Sequence, residues 1–184
     1  MSEPVGRPGG ERESTATEPA VVLIGPPGAG KTTVGELLAA RLGVGFTDTD
    51  AEVEAVAGKP VSDIFVEDGE PAFRELERAA VARALGDSSG VVAVGGGAVL
   101  DPRTQRLLAG RPVVYLQTGF ASAAKRVGLG QARPLLIGNP RATLKILLDQ
   151  RLPVYERLAT ITVGTDDRDP QEIAAEIAER LAGP

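Results

Sequence analysis

The sequence predicts a three-layer α/β fold built around a five-stranded parallel sheet. Five short apolar runs, each the length of a buried strand, alternate with stretches whose apolar residues recur at helical spacing. Parallel strands of this kind are joined by helical crossovers, which place helices on both faces of the sheet. With 184 residues, of which 42% are hydrophobic, the chain is long enough for one such domain and its core.

The first half of the chain alternates strands and helices. Its predicted elements are a strand over residues 20–24, a helix over 30–42, a strand over 44–47, a helix reaching Ala57, a short helix over 62–66 and a helix ending near Leu85. Gly43 provides the stop signal of the first helix, and Ser62 is the expected cap of the short one. Residues 1–18 are rich in Gly, Pro, Ser and charge and have no apolar period, so we expect a disordered extension before a single domain over 19–184.

The second half continues the pattern. Its predicted elements are a strand over 91–94, a strand over 113–116, a helix capped by Thr118 that reaches Val127, a helix over 141–150 with Pro153 beyond it, a strand over 161–163 and a final helix. Residues 128–140 are rich in Gly and Pro and separate two helices, so we expect a mobile lid there. Ligands of such folds collect at the carboxyl ends of the strands.

The strongest motif follows the first strand, where Gly25 to Thr32 matches G-x-x-x-x-G-K-[ST]. Its glycines let backbone amides turn inward around phosphate oxygens, and the following helix adds partial positive charge. Lys31 would neutralise the β- and γ-phosphates, and the Thr32 hydroxyl would bind Mg²⁺. An ordinary Gly/Pro turn is the alternative. The motif lies between a strand and a helix, as a nucleoside triphosphate site requires.

Asp48 and Asp50 lie at the end of the second predicted strand. If the chain is still extended there, both carboxylates point to the same side of the strand, toward the phosphates. One could support Mg²⁺ and the other accept the proton of an acceptor hydroxyl. An acidic pair before a helix is also a common cap, because Asp favours the first helical turn.

Arginines and a glycine cluster supply candidate acceptor contacts. Arg74 could pair with an anionic substrate, or it could form a solvated helix-surface pair with Glu77. Gly95-Gly96-Gly97 lets a ligand approach the main chain and bond to its amides, although a simple loop is possible. Arg133 on the predicted lid, Arg151 near a helix end and Arg168 after the last strand complete the set.

Composition excludes several function classes. The chain has no Cys and no His, which rules out disulfides, thiolate or imidazole zinc sites and Ser-His-Asp catalysis. Its net charge of −5 is the wrong sign for broad affinity to nucleic acids or anionic membranes. With neither a signal peptide nor a membrane span in the sequence, we expect a cytoplasmic protein, and a monomer.

Taken in order, these motifs resemble those of shikimate kinases over about residues 19–182. The resemblance rests on the following segments: Gly25 to Thr32, Asp48-Thr49-Asp50, Phe73-Arg74, Gly95-Gly96-Gly97-Ala98-Val99, Arg133-Pro134-Leu135-Leu136 and Arg151-x-Pro-x-Tyr155. It implies a fold like that of nucleoside monophosphate kinases, with a lid and a substrate-binding helical region. It also implies transfer of the γ-phosphoryl group of ATP to the 3-hydroxyl of shikimate, a step of aromatic amino-acid biosynthesis.

The resemblance also implies residue roles. Catalysis falls to Lys31, Asp50 and Arg133. ATP is held by Gly28, Ala29, Gly30, Lys31, Thr32, Thr33, Arg126, Arg133 and Arg168, with Mg²⁺ on Thr32 and Asp48. Shikimate is held by Asp50, Arg74, Gly95, Gly96, Gly97 and Arg151. Lys125 directly precedes Arg126, so either side chain could stack on the adenine.

Two other functions fit the motifs. One is a related kinase acting on gluconate, another polyol acid or a nucleoside monophosphate. The other is a nucleotide-binding module that signals without catalysis. A kinase for another polyol acid would have the same charge requirements as a shikimate kinase. A non-catalytic module would not need the acidic residue and the lid arginine that this chain contains.

Overall fold

The computed structural model describes residues 21–128 and 138–184. Their strands are β1 Val21–Ile24, β2 Phe46–Asp48, β3 Val91–Ala93, β4 Val113–Gln117 and β5 Ile161–Gly164. Their helices are α1 Lys31–Leu42, α2 Thr49–Ala57, α3 Val61–Glu67, α4 Glu70–Asp87, α5 Pro102–Leu108, α6 Phe120–Val127, α7 Pro140–Leu158 and α8 Pro170–Ala182, with a 3-10 turn over Ala98–Leu100. The predicted extension over residues 1–18 and most of the predicted lid lie outside the described residues.

The predicted parallel sheet is confirmed. Its strands are ordered β2-β3-β1-β4-β5, and each neighbouring pair is parallel. The chain leaves the central strand β1 through α1 to reach β2 on one side, whereas β4 lies on the other side. The loop after β1 is therefore at the point where the strand order reverses, which is where ligands bind in open α/β sheets.

Alternation along β1 divides the core into two layers. Val21 and Leu23 pack with α1 and α8 on one face of the sheet, and Val22 and Ile24 pack with α4 and α7 on the other. All four residues are fully buried, as expected for a strand covered on both faces.

A smaller apolar cluster holds the helices that follow β2. Val53 of α2, Ile64 of α3 and Phe73 of α4 are buried together, apart from the two main layers. This helical unit borders the carboxyl ends of β2 and β3. Among the described residues, no helix is long and apolar enough to span a membrane.

Several predicted boundaries were wrong. Helix α7 continues through Pro153 to Leu158, and α3 begins at Val61, directly after Pro60 and before Ser62. Thr118 does not cap α6, because Gly119 occupies the cap position and the Thr118 hydroxyl instead donates to Asp166 Oδ1 at 2.8 Å. Helix α5 was not predicted, although Asp101 before Pro102 is a typical helix start.

Candidate active site

The glycine-rich loop connects β1 to α1, as predicted. Gly25, Gly28 and Gly30 have φ values of 152°, 80° and 91°, which are costly for residues with a side chain. A Cβ on Gly25 would also lie 2.7 Å from the carbonyl oxygen of Leu116. Gly30 directly precedes α1, whose first N–H groups have no partner within the helix. The loop is therefore shaped as an anion site.

Lys31 begins α1 and reaches back over this loop. Its Nζ donates to the carbonyl oxygens of Gly25 at 2.8 Å and Pro26 at 3.1 Å. These bonds hold the ammonium group at the loop. Lys31 is thus placed to neutralise a phosphate bound by the loop amides.

Asp48 caps α2, as one of the two interpretations predicted, and it also contacts the phosphate loop. Its Oδ1 accepts from the N–H of Asp50 at 2.9 Å, which caps α2, while its Oδ2 accepts from the Thr32 hydroxyl at 2.8 Å. A helix cap needs one carboxylate oxygen. The second oxygen is thereby available to the phosphate loop.

Asp50 shares a pocket with the phosphate loop, although not for the predicted reason. The chain is no longer extended at Asp50, which lies in the first turn of α2. Nevertheless Asp48, Asp50 and Gly95 line one pocket of about 230 Å³ together with the loop, including Lys31 and Thr32. The residues predicted for the donor and those predicted for the acceptor meet there.

Two arginines approach the glycine cluster on the acceptor side. A Cβ on Gly97 would lie 2.9 Å from Nη1 of Arg74 and 3.0 Å from Nη2 of Arg151, and a Cβ on Gly96 would lie 3.3 Å from Nη1 of Arg151. At Gly95, a Cβ would lie 2.7 Å from Oδ1 of Asp50. Only residues without a side chain allow these charged groups so close to the main chain.

Glu77 also belongs to this cluster. The sequence indicated only a helix-surface pair with Arg74 and not this location. Its Oε1 accepts from Arg74 Nη1 at 2.7 Å, and only 4% of Glu77 is exposed. The Arg74–Glu77 pair considered from the sequence is present, but its carboxylate is buried and not solvated. Burial raises the pKa of Glu77 even though Arg74 acts against that shift, and the neighbouring Asp50 raises it further. The helical pattern of α4 contained a signal, since Glu77 follows the buried Phe73 by four residues.

Arg151 lies on α7, beyond the predicted end of that helix, and it is buried. Only 4% of the residue is exposed, and its Nε has no hydrogen-bond partner within residues 21–128 and 138–184. One turn later, Tyr155 donates its hydroxyl to the Gly96 carbonyl oxygen at 2.6 Å. Burial raises the pKa of Tyr155, which keeps this hydroxyl protonated.

The remaining predicted arginines lie beside the loop and the end of β5. Arg126 donates to the carbonyl oxygens of Gly28 at 3.2 Å and Thr165 at 3.0 Å, which ties the two segments together. Arg168 donates to Gly164 and pairs with Glu176 at 2.7 Å. It borders a pocket of about 510 Å³ between the ends of β4 and β5 and helix α7. Arg133 lies outside the described residues.

The metal donors are few. Within the described part of the chain, no group of three or more His, Cys, Asp or Glu residues could hold a metal. Thr32 and Asp48 offer a hydroxyl and a carboxylate in contact with each other. That pair fits Mg²⁺, which binds one or two protein oxygens and completes its shell with phosphates and water.

Known proteins match this chain along nearly its whole length. The shikimate kinase family model matches residues 27–182. A shikimate kinase of Thermobifida fusca is 63% identical over 166 residues, which cover 90% of this chain and 96% of that protein. A solved structure of shikimate kinase from Acinetobacter baumannii in complex with shikimate has a TM-score of 0.85 and 35% identity, covering 92% of this chain and 96% of that one.

A second solved structure supports the fold alone. A gluconokinase from Sinorhizobium meliloti matches with a TM-score of 0.54 at 22% identity, covering 90% of this chain and 93% of that one. The same arrangement of sheet and helices therefore occurs in a kinase with another acceptor.

Proposed function

This chain belongs to the shikimate kinase family, and we propose how its residues transfer the γ-phosphoryl group of ATP to the 3-hydroxyl of shikimate. The products of this kinase are ADP and shikimate 3-phosphate, and the reaction is a step of the shikimate pathway. One observation carries the assignment of roles: Asp50 lines the same pocket as Lys31 and Thr32 of the phosphate loop.

The donor side binds ATP. The loop amides and hydroxyls of the following residues surround the phosphates: Gly28, Ala29, Gly30, Lys31, Thr32 and Thr33. Lys31 exchanges its bonds to Gly25 and Pro26 for the β- and γ-phosphate oxygens. Arg126 and Arg168 border the adenine end. Arg126 is the stronger candidate to stack on the adenine, because it is bonded to the phosphate loop itself.

Thr32 and Asp48 would hold Mg²⁺ next to the phosphates. The Thr32 hydroxyl would be a direct ligand, and Asp48 would bind through the water shell. When bound, the ion would neutralise charge on the phosphate oxygens.

The acceptor side binds a compact carboxylate with hydroxyl groups. Arg74 and Arg151 pair with the carboxylate, and the Gly96 and Gly97 amides bond to hydroxyl oxygens. Gly95 contributes space for Asp50, because its own N–H is already bonded to Thr49 Oγ1 at 3.1 Å.

Asp50 orients the reacting hydroxyl and accepts its proton. The hydroxyl oxygen forms a bond to the γ-phosphorus as the bond from that phosphorus to the β,γ-bridging oxygen breaks, and ADP leaves with the electron pair. In a loose phosphoryl-transfer transition state, positioning and charge stabilisation contribute most of the acceleration. Lys31 and Arg133 supply that stabilisation in this proposal.

We also propose a domain organisation, an oligomeric state and a cellular location for this enzyme. Residues 19–184 form one kinase domain, in which residues 128–140 act as a lid that carries Arg133 to the phosphates. The enzyme works as a monomer in the cytoplasm.

A coupled ADP-release assay with shikimate, gluconate and AMP tests the acceptor. We expect turnover with shikimate and only background ADP release with the other two. Turnover of gluconate or AMP without shikimate would assign a related kinase, and ATP binding without turnover of any acceptor would assign a non-catalytic nucleotide-binding module.

A further inference from the structure

The backbone of Gly95-Gly96-Gly97 is bonded at most of its polar groups. The Gly95 N–H donates to Thr49 Oγ1 at 3.1 Å, and the Gly96 carbonyl accepts from the Tyr155 hydroxyl at 2.6 Å. The Gly95 and Gly97 carbonyls accept from Ala98 N–H at 3.0 Å and Leu100 N–H at 3.1 Å. Within the described residues, the N–H groups of Gly96 and Gly97 are the two left without a protein partner.

Among the side chains that hold this segment, Thr49 has a special position in the sequence. It lies between Asp48 and Asp50 and begins helix α2, and it is fully buried. The loop atom that it binds, the Gly95 N–H, is buried as well. A buried N–H that loses its partner is costly, so this bond fixes the end of β3 against the start of α2.

The same bond controls the distance between Asp50 and the glycines. Asp50 directly follows Thr49, and its Oδ1 is so close to Gly95 that a Cβ there would lie 2.7 Å away. A shift of Thr49 would therefore move the Asp50 carboxylate relative to the Gly96 and Gly97 amides. These are the groups assigned above to one small acceptor.

We propose that Thr49 is a positioning residue, whose hydroxyl holds the Asp50 carboxylate and the Gly96 and Gly97 amides in one geometry around the acceptor. This inference rests on the proposed function. The Thr49 hydroxyl bonds to Gly95 on the acceptor side, whereas the phosphate loop is held by other bonds, from Lys31 and Arg126. Its loss should consequently weaken use of the acceptor and leave ATP binding unchanged.

Three variants separate this role from a general effect on folding. Thr49→Val keeps the shape of the side chain and removes the acceptor of the Gly95 N–H. Thr49→Ser keeps the hydroxyl. Thr104→Val is the matched control, because Thr104 is also a buried threonine but lies on α5.

Steady-state kinetics with shikimate and ATP varied separately provide the test, with thermal melting of each variant. For Thr49→Val we expect the KM for shikimate to rise about tenfold and the KM for ATP to stay within about twofold, as for loss of one buried hydrogen bond. Thr49→Ser should restore the shikimate KM to within about threefold of wild type. Thr104→Val should change neither KM.

Three results would overturn the inference: an unchanged shikimate KM in Thr49→Val, an equal rise in both KM values, or no restoration by Thr49→Ser. Wild-type enzyme that fails to phosphorylate shikimate in the same assay would instead contradict the proposed function. The two failures are therefore distinguishable.

Discussion

At the scale of single residues, Asp50 shows what a sequence motif can and cannot predict. Its spacing from Asp48 predicted that both carboxylates lie beside the phosphate loop, and the pocket that they share with the loop agrees with that prediction. The predicted geometry was different: the chain was expected to be extended at Asp50, but α2 begins at Thr49, one residue before it. A carboxylate in the first helical turn still faces the crevice, since the helix starts at the carboxyl end of β2.

Replacement of Asp50 by Asn tests its proposed role directly. The amide keeps the size of the side chain but cannot accept the hydroxyl proton, so we expect kcat to fall at least roughly 10²-fold with ATP affinity little changed. Steady-state kinetics and ATP titration measure the two quantities. Asp63→Asn, at an exposed position on α3, is the control and should retain full activity. Near-normal kcat in Asp50→Asn would remove Asp50 from the reaction.

Helical spacing from Phe73 indicated the side of α4 on which Glu77 lies, but the burial of its carboxylate depends on how α4 packs at the sheet edge. Burial raises its pKa above that of an unfolded glutamate, about 4.3. The folded state therefore binds the proton more tightly than the unfolded state does. Its contribution to stability is fully present below the unfolded pKa and is lost as pH rises through the higher folded pKa.

A comparison of wild type with Glu77→Gln tests this pH dependence. The free energy of unfolding of wild type, relative to the variant, should fall as pH rises from about 4 upward, because Gln does not titrate. Urea unfolding at several pH values measures the difference. Glu36→Gln, at an exposed position on α1, is the control. A wild-type advantage that grows with pH would contradict the raised pKa.

At the scale of elements, the sequence predicted strands better than helix ends. Buried parallel strands appear as continuous apolar runs, which tertiary packing reinforces. Pro153 has no N–H and normally ends a helix, yet α7 continues past it. The helix is anchored on both sides of the proline, by Leu144 and Arg151 before it and Tyr155 after it, all buried. That packing depends on residues far away in the chain.

Asp166 is an element-scale contact that no motif predicted. Its Oδ1 accepts from the Thr118 hydroxyl at 2.8 Å and its Oδ2 from the Gly119 N–H at 2.9 Å, which joins the start of α6 to the end of β5. Partial burial raises the pKa of Asp166, but these hydrogen bonds outweigh that effect and hold the pKa below its usual value. The carboxylate therefore stabilises the fold at neutral pH, and this contribution is lost as pH falls through the lowered pKa.

Asp166→Asn should weaken this connection. The amide can accept only one of the two hydrogen bonds, so we expect a loss of about 1 kcal/mol and a melting temperature lower by roughly 2–4 °C. Differential scanning calorimetry at neutral pH measures it. Asp149→Asn is the control, because Asp149 pairs with Lys145 at an exposed surface site, and surface pairs contribute little. Equal melting temperatures for Asp166→Asn and wild type would show that the connection does not stabilise the fold.

At the scale of the whole molecule, the order of motifs along the chain predicted more than any one motif. Alternating apolar runs and helical periods gave the three-layer sheet, and the rule that ligands bind at carboxyl ends of strands gave the location of the site. The motifs did not assign a role to the side chains that hold the site, such as Thr49 and Glu77. Their roles depend on which elements meet in three dimensions.

The central claim is that this pocket directs the γ-phosphoryl group of ATP to one hydroxyl of shikimate. Phosphorus NMR of a reaction containing the wild-type enzyme, ATP, Mg²⁺ and shikimate tests it most directly. We predict equal amounts of ADP and a single new phosphomonoester, whose phosphorus couples to the proton on carbon 3 of shikimate. Inorganic phosphate in place of the ester, or an ester at another hydroxyl, would contradict the account.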